Sequence, residues 1–230
     1  MTTILGIRAG FGIEGIVLGA DTQLSFIEDG GKIQKKKPIS KVVNGRDWAM
    51  GFCGMPTEEL YKFFQTLKKQ DKSSEIITKA ISNYDSYRES PRIDGIHFQE
   101  INLLNTSLRR NDLSLEDLNR FILATTSEKY GLRLFEIDEF GNLKEAPKGE
   151  MQYVTIGSGS EIVEAHIKQE LDKEEGTPSI VTIPKAIRLV RSSLTQAQRD
   201  PYTDSQIDLL ILTQSGIKNP GKDLRETLNR

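Results

Sequence analysis

Cysteine and histidine are scarce in this sequence. Its 230 residues include one cysteine, Cys53, and two histidines, His97 and His166. One cysteine cannot form an internal disulfide and is too few for a cysteine-rich zinc site, and neither histidine has a motif partner. We therefore predict no metal site, and the lone cysteine is typical of a protein from a reducing compartment.

Long apolar runs are also absent. No segment approaches the ~20 consecutive apolar residues that cross a bilayer. The amino terminus has no basic segment followed by an uninterrupted apolar stretch, because Arg8 and Glu14 interrupt it. We therefore expect neither a membrane span nor a secretory signal, and we predict a cytoplasmic protein.

An excess of charge of one sign is missing as well. The formal net charge is −2, so no overall attraction to nucleic acid or to anionic membranes is expected. Basic residues cluster in one run, which consists of Lys32, Lys35, Lys36, Lys37 and Lys41. No aromatic residues are interleaved for base stacking, so we interpret most of the run as a solvated or interface-facing strand. One of its lysines is left open for another role.

The length and composition indicate one globular domain. Hydrophobic residues make up 37% of the chain and charged residues 28%, which is typical of a globular protein. No internal repeat, low-complexity tract or linker divides the sequence, so we predict a single domain over residues 1–230. Within it, about 90–118 is predicted to be an insertion, and the polar tail from about 216 is predicted to be a loose arm.

Hydrophobic patterns predict the order strands, two helices, strands, two helices, strand. The predicted strands lie at 3–8, 15–20, 33–43, 48–52, 121–125, 132–137, 151–156 and 207–213. The predicted amphipathic helices lie at about 57–67, 76–87, 160–173 and 184–197. Two mostly antiparallel sheets, stacked face to face with a helix pair on each outer face, would bury these apolar surfaces. The expected fold class is therefore α+β, as a four-layer α/β/β/α sandwich.

The amino terminus contains the clearest chemical signal. Removal of Met1 would leave Thr2 with a hydroxyl and a free α-amine at the start of a predicted strand. A threonine hydroxyl is a weak nucleophile until a base takes its proton, and an α-amine, which titrates near pH ~8, is such a base. Thr2 is therefore a candidate nucleophile, although Met-Thr-Thr is also an ordinary start for a cytosolic protein.

Six segments, in order, resemble the N-terminal nucleophile hydrolases of the proteasome β-subunit and HslV peptidase type. They are residues 2–6, 15–22, the basic strand around Lys35, 51–54, 156–160 and 199–210. The resemblance implies a threonine peptidase that needs no cofactor and cleaves peptides or unfolded proteins. It also implies a self-compartmentalising homo-oligomeric ring that works with an unfoldase or regulatory cap.

The resemblance assigns the nucleophile and two charged partners. Thr2 matches the nucleophile, and Asp21 matches the carboxylate that pairs with a buried lysine. Lys35 matches that lysine, and Lys37 is the alternative because the two residues share one face of a strand. Without the resemblance, Asp21 would be interpreted as a turn residue at the end of a strand.

Further catalytic roles follow from the same resemblance. Gly54 matches the glycine whose backbone N–H points at the developing oxyanion, and its alternative is a plain strand-to-helix turn. Ser158 and Asp200 match the residues that hold the N-terminal amine, and Thr203 matches a second hydroxyl there. Ser158 also fits a capping box with Glu161, so a role as a helix cap stays open.

Substrate specificity is assigned to a pocket near the nucleophile. The residues that match its walls are Ser25, Ile33, Lys37, Phe52 and Pro56. Smaller residues are frequent in the family at positions 52 and 56, so the pocket is expected to be narrow or reshaped. Cleavage specificity therefore cannot be copied from relatives.

Two other functions remain open on the sequence. The first keeps Thr2 as nucleophile in an amidohydrolase, or in a peptide ligase in which an amine instead of water resolves the acyl intermediate. The second is a non-catalytic ring subunit that retains Met1. Cys53 is a weaker candidate nucleophile, because a lone cysteine at the end of an apolar strand usually serves packing.

Overall fold

The structure, a computed structural model, describes part of the chain. The described residues are 2–10, 14–22, 24–27, 33–36, 39–54, 60, 119–127, 131–146, 151–173, 181–204 and 206–218. For 24–27, 33–36 and 127 the description covers the backbone.

Two five-stranded antiparallel sheets and one two-stranded ribbon form the described framework. The first sheet has the order β10-β1-β2-β11-β12, with β1 Thr3–Ala9, β2 Gly15–Asp21, β10 Gln152–Gly157, β11 Ile207–Thr213 and β12 Gly216–Lys218. The second has the order β5-β6-β7-β8-β9, with β5 Val42–Asn44, β6 Trp48–Cys53, β7 Arg120–Ser127, β8 Gly131–Ile137 and β9 Leu143–Glu145. The ribbon pairs β3 Leu24–Ile27 with β4 Ile33–Lys36.

The central strands of the first sheet are buried on both faces. Ile4 and Leu18 belong to an apolar cluster that also contains Ile122 and Leu134 of the second sheet, so the two sheets pack face to face. Alternate residues such as Leu5 belong to a second cluster on the opposite face. Burial on both faces explains why β1 and β2 are apolar almost throughout.

Two α-helices cover that opposite face. α1 spans Ser160–Asp172 and α2 spans Ile183–Gln196. Thr182 caps α2, because its side chain accepts a hydrogen bond from the backbone N–H of Lys185. The apolar faces of both helices join the second cluster, to which Val163 and Val190 belong. A short 3₁₀ turn, Ala197–Arg199, follows α2 and leads to Asp200.

The prediction of a four-layer α/β/β/α sandwich is wrong. In the part of the chain that the structure describes, two mostly antiparallel sheets are accompanied by two helices, and both helices lie on the first sheet. Periodicity identifies an amphipathic helix but not the layer that it covers, which is why the sequence pattern gave the wrong architecture. The predicted helices at 57–67 and 76–87 lie outside the described residues, apart from buried Leu60, and so does the predicted insertion at about 90–118.

Most of the individual elements are confirmed. Seven of the eight predicted strands, and the helices predicted at 160–173 and 184–197, appear with ends within two residues of those expected. The strand predicted over 33–43 is two strands, β4 and β5, in different sheets. Pro38 lies between them, and a proline cannot donate to a strand ladder. The tail predicted to be loose from 216 begins as β12, with Gly216 paired to Thr213.

No helix among the described residues has both the length and the apolar character that spanning a bilayer requires.

We expect Gly19→Ala to lower the free energy of unfolding by about 1–3 kcal/mol, the usual cost of overpacking a core. A Cβ atom on Gly19 would lie 2.3 Å from Cγ1 of Val190 and 3.0 Å from Cδ2 of Leu209. Urea unfolding measures the loss. Gly10→Ala is the matched control, because a Cβ atom on exposed Gly10 has no neighbour within 4 Å in the part of the chain that the structure describes. Equal losses in the two variants would contradict this packing.

Candidate active site

Thr2, Asp21 and Lys41 form a buried cluster at the start of β1. Their exposed fractions are 2%, 0% and 2%. The hydroxyl of Thr2 donates to Oδ1 of Asp21 and accepts a hydrogen bond from Nζ of Lys41. Nζ also donates to Oδ2 of Asp21 at 3.0 Å. One hydroxyl therefore lies between an amine and a carboxylate, away from bulk water.

Backbone pairing positions the three residues. β1 and β2 are antiparallel with Ile4 opposite Ala20, so the register continued by one residue sets Thr3 opposite Asp21 and brings Thr2 next to that pair. Lys41 directly precedes β5, and the second sheet holds its backbone in place. The carbonyl of Lys41 accepts a hydrogen bond from the N–H of Phe52 in β6 at 3.1 Å. On the other side of Lys41, the N–H of Ile39 donates to the carbonyl of Thr22 at 2.8 Å.

Burial changes the acid–base behaviour of Lys41. Removal from water lowers the pKa of its amine below the ordinary value, since the charged form loses hydration. The adjacent carboxylate of Asp21 opposes this shift but does not cancel it. A larger fraction of the amine is therefore uncharged near neutral pH, and an uncharged amine can accept the proton of the Thr2 hydroxyl.

The structure places the buried lysine differently from the sequence. Among the described side chains, Lys41 is the lysine that contacts Thr2, whereas the resemblance assigned this place to Lys35, with Lys37 as the alternative. Lys37 and the side chain of Lys35 lie outside the described residues. A signal was available, because Lys41 lies next to the apolar pair at 42 and 43, whereas 35–37 is a run of lysines typical of a solvated segment.

Ser158, Asp200 and Thr203 form a second polar cluster, beside the cluster of Thr2, Asp21 and Lys41. Oδ2 of Asp200 accepts from Oγ of Ser158 at 2.5 Å and from Oγ1 of Thr203 at 2.9 Å. The backbone N–H of Ser158 donates to the carbonyl of Thr2 at 3.1 Å, which joins this cluster to the nucleophile. The alternative role of Ser158 as a helix cap is wrong, since Gly159 is the N-cap of α1 and no side chain caps it.

Gly157 allows this close approach at the end of β10. Its φ is +104°, in the region that disfavours side chains, and a Cβ atom there would lie 1.7 Å from the carbonyl oxygen of Thr2. Any other residue would push β10 away from Thr2. Gly157 lies in one of the six matching segments of the sequence, but the resemblance gives it no role.

Gly54 directly follows β6 and also has a positive φ, +114°. β6 lies close to the cluster of Thr2, Asp21 and Lys41. The N–H of its residue Phe52 bonds to the carbonyl of Lys41, and its residue Gly51 packs against Ile4. A positive φ disfavours residues with a side chain, which explains glycine at this position.

Little of the predicted specificity pocket is described. Phe52 is 2% exposed within β6. Lys37 and Pro56 lie outside the described residues, and Ser25 and Ile33 are described by the backbone of the ribbon.

The surroundings of Cys53 and His166 favour structural roles for both side chains. Burial raises the pKa of the Cys53 thiol to about 11, so the nucleophilic thiolate is disfavoured. The Nε2 atom of His166 is 3.0 Å from Oγ of Ser192, which links α1 to α2. His97 lies outside the described residues. Over the described ranges, no group of three or more histidine, cysteine or acidic side chains is arranged to hold a metal ion.

We expect Asp21→Asn to lower the free energy of unfolding by roughly 3–5 kcal/mol near pH 7, because it removes the carboxylate that pairs with Lys41. The pKa of Lys41 is lower in the folded protein than in the unfolded chain, so stability rises with pH between those two values. Loss of the Asp21 carboxylate, which stabilises the charged amine, lowers the pKa of Lys41 in the folded protein further. The deficit of the variant should therefore shrink as the pH is raised toward about 10.

Urea unfolding at a series of pH values measures this effect. Asp172→Asn, at an exposed position that ends α1, is the control and should stay within about 0.5 kcal/mol of the parent protein. A deficit that is the same at every pH would show that Lys41 does not titrate as proposed.

Comparison with known proteins adds no assignment. No protein-family model and no curated protein sequence matches this chain. The functional assignment therefore depends on the site itself, in which a threonine hydroxyl lies between the amine of Lys41 and the carboxylate of Asp21.

Proposed function

We propose that the protein is a threonine peptidase that cleaves peptide bonds with the hydroxyl of Thr2 after Met1 is removed. The observation that carries the proposal is the contact of this hydroxyl with both Lys41 and Asp21. Covalent catalysis requires a nucleophile within hydrogen-bond reach of a base that a third group orients. The resemblance of six segments to N-terminal nucleophile hydrolases supports the same reaction.

In the proposed first step, the hydroxyl proton of Thr2 turns from Asp21 toward uncharged Nζ of Lys41. Oγ1 then attacks the carbonyl carbon of the scissile peptide as this proton passes to Nζ. The lowered pKa of Lys41 supports this role. Asp21 orients the amine through the 3.0 Å contact at Oδ2. As the tetrahedral intermediate collapses, the C–N bond breaks and Lys41 returns the proton to the leaving amine. Water then hydrolyses the ester on Thr2.

The developing oxyanion needs a donor, and the backbone N–H of Gly54 is our candidate. One such donor is worth roughly 3 kcal/mol of transition-state stabilisation in hydrolases. The position of Gly54 just after β6, whose Phe52 bonds to the carbonyl of Lys41, supports the assignment.

Removal of Met1 would create a free α-amine on Thr2, which is a second base on the same residue. We assign Ser158, Asp200 and Thr203 to hold this amine. The hydrogen bond from the N–H of Ser158 to the carbonyl of Thr2 supports this role, since it brings the second cluster next to the residue that would bear the amine.

The resemblance extends the proposal to assembly and location. We propose a homo-oligomeric ring that receives peptides or unfolded proteins, with an unfoldase or regulatory cap as partner, in the cytoplasm. The free thiol of buried Cys53 is consistent with a reducing compartment.

A β-lactone that acylates threonine hydroxyls tests the nucleophile directly. We expect the intact mass of the protein from its native host to lack Met1 and to increase by one lactone after treatment. Thr2→Ala should abolish the adduct. Thr125→Val should retain it, because this buried threonine lies in β7 and its hydroxyl contacts the carbonyl of Asp47.

Two outcomes would redirect the assignment. A retained Met1 without an adduct would contradict the peptidase and favour a non-catalytic ring subunit. If the adduct forms but a peptide substrate is joined to an added amine acceptor instead of being hydrolysed, the nucleophile is correct and the reaction is ligation.

We expect Lys41→Met to slow lactone acylation by about 10²- to 10⁴-fold, the usual contribution of a general base. In the parent protein the acylation rate should rise with pH as Lys41 loses its proton, and this rise should weaken in the variant, in which the α-amine of Thr2 is the remaining proposed base. Rates measured by mass spectrometry across pH give both results. Lys35→Met is the informative comparison, since a larger loss there than in Lys41→Met would restore the sequence assignment.

A further inference from the structure

Thr3, the residue after the proposed nucleophile, contacts both clusters. Its backbone N–H donates to Oδ1 of Asp21 at 2.7 Å. Its hydroxyl is 2.7 Å from the hydroxyl of Thr203, and it accepts from the backbone N–H of Gly159 at 3.1 Å. One residue therefore bonds to the cluster around Thr2 through its backbone and to the cluster around Asp200 through its side chain.

The directions of these hydrogen bonds can be assigned from the number of protons. Thr203 has one hydroxyl proton, and it donates that proton to Oδ2 of Asp200 at 2.9 Å. In the contact between the two threonines, Thr203 must therefore accept and Thr3 must donate. The resulting hydrogen-bond chain runs from the N–H of Gly159 through Thr3 and Thr203 to the carboxylate of Asp200.

Because its residues are buried, this hydrogen-bond chain is sensitive to the loss of any one partner. Thr3 is 0% exposed, Thr203 4% and Asp200 9%. Buried polar groups that lose a partner incur a desolvation cost that exposed groups do not. The fit is also close, since a Cβ atom on Gly159 would lie 2.4 Å from Oγ1 of Thr3.

We propose that the Thr3 hydroxyl is a positioning group for the reaction of Thr2, an inference that rests on the proposed function. It joins the strand of the nucleophile to the loop that contains Asp200. Loss of the hydroxyl would let the start of β1 shift relative to Ser158 and Asp200 without removing any group that touches the substrate.

Thr3→Val tests the proposal, because it keeps the shape of the side chain and removes only its hydrogen bonds. We expect β-lactone acylation of Thr2 to slow by about 10- to 100-fold, the scale of a small misplacement of a reacting group. Thr3→Ser restores the hydroxyl and should recover the rate to within about 3-fold of the parent protein.

Thr155→Val is the matched control. Its hydroxyl also bonds to β1, at the carbonyl of Ile4 and 3.0 Å away, but it is not part of the chain to Asp200. This variant should acylate at the parental rate. A slowing equal to that of Thr3→Val would overturn the proposal, because any weakened contact with β1 would then have the same effect.

A second measurement tests the hydrogen-bond chain without catalysis. Thr3→Val and Thr203→Val remove the same contact, so the urea midpoint of the double variant should shift by less than the sum of the two single shifts. Additive shifts would show that Thr3 and Thr203 do not share the assigned hydrogen bond. A stability loss in Thr3→Val with an unchanged acylation rate, or a failure of Thr3→Ser to recover the rate, would overturn the positioning role.

These outcomes are separable from failure of the proposed function. A parent protein that does not react with the lactone would overturn the peptidase assignment and the positioning role together. In a reactive parent protein, by contrast, additive midpoint shifts or an unaffected Thr3→Val variant would overturn the positioning role alone.

Discussion

The buried ion pair of Lys41 and Asp21 is the interaction on which the candidate site depends. Removing two charges from water is costly, and pairing offsets the cost only when the remaining polar positions are also bonded. The carboxylate meets this condition, because it accepts from the N–H of Thr3, the hydroxyl of Thr2 and the amine of Lys41. The hydroxyl of Thr2 is therefore oriented before any substrate binds.

The geometry of the pair requires contributions from both sheets. Antiparallel pairing of β1 with β2 places Asp21 beside Thr2, whereas Lys41 belongs to the chain that enters the second sheet. The two sheets approach closely at Gly51, where a Cβ atom would lie 2.9 Å from Cγ2 of Ile4. Displacement of one sheet relative to the other would separate the amine from the hydroxyl. Core packing and the proposed chemistry are therefore linked through the same few residues.

The sequence predicted local structure better than architecture. Strand and helix patterns are properties of a few adjacent residues, so most elements were found with nearly correct ends. The break between β4 and β5 was missed because a run of apolar and basic residues was extended across Pro38. The helix layers were misassigned because the apolar stripe of a helix does not specify which sheet covers it.

The candidate site was likewise predicted only in part from the sequence. Resemblance along the chain identified Thr2, Asp21, Ser158, Asp200 and Thr203, and the structure brings these residues together. It did not identify Lys41, because residues within a basic run are nearly equivalent when only neighbours along the chain are considered. The role that we propose for Thr3 was also invisible, since it requires a partner 200 positions away.

The sequence by itself determined where most of the described strands and helices lie, and it placed a threonine directly after Met1. Only the tertiary structure decided which lysine meets that threonine. The physical reason is that periodicity and chain order act between neighbours, whereas the contact of Lys41 with Thr2 joins residues 39 positions apart. That contact exists only when two sheets pack together and exclude water from the charges between them.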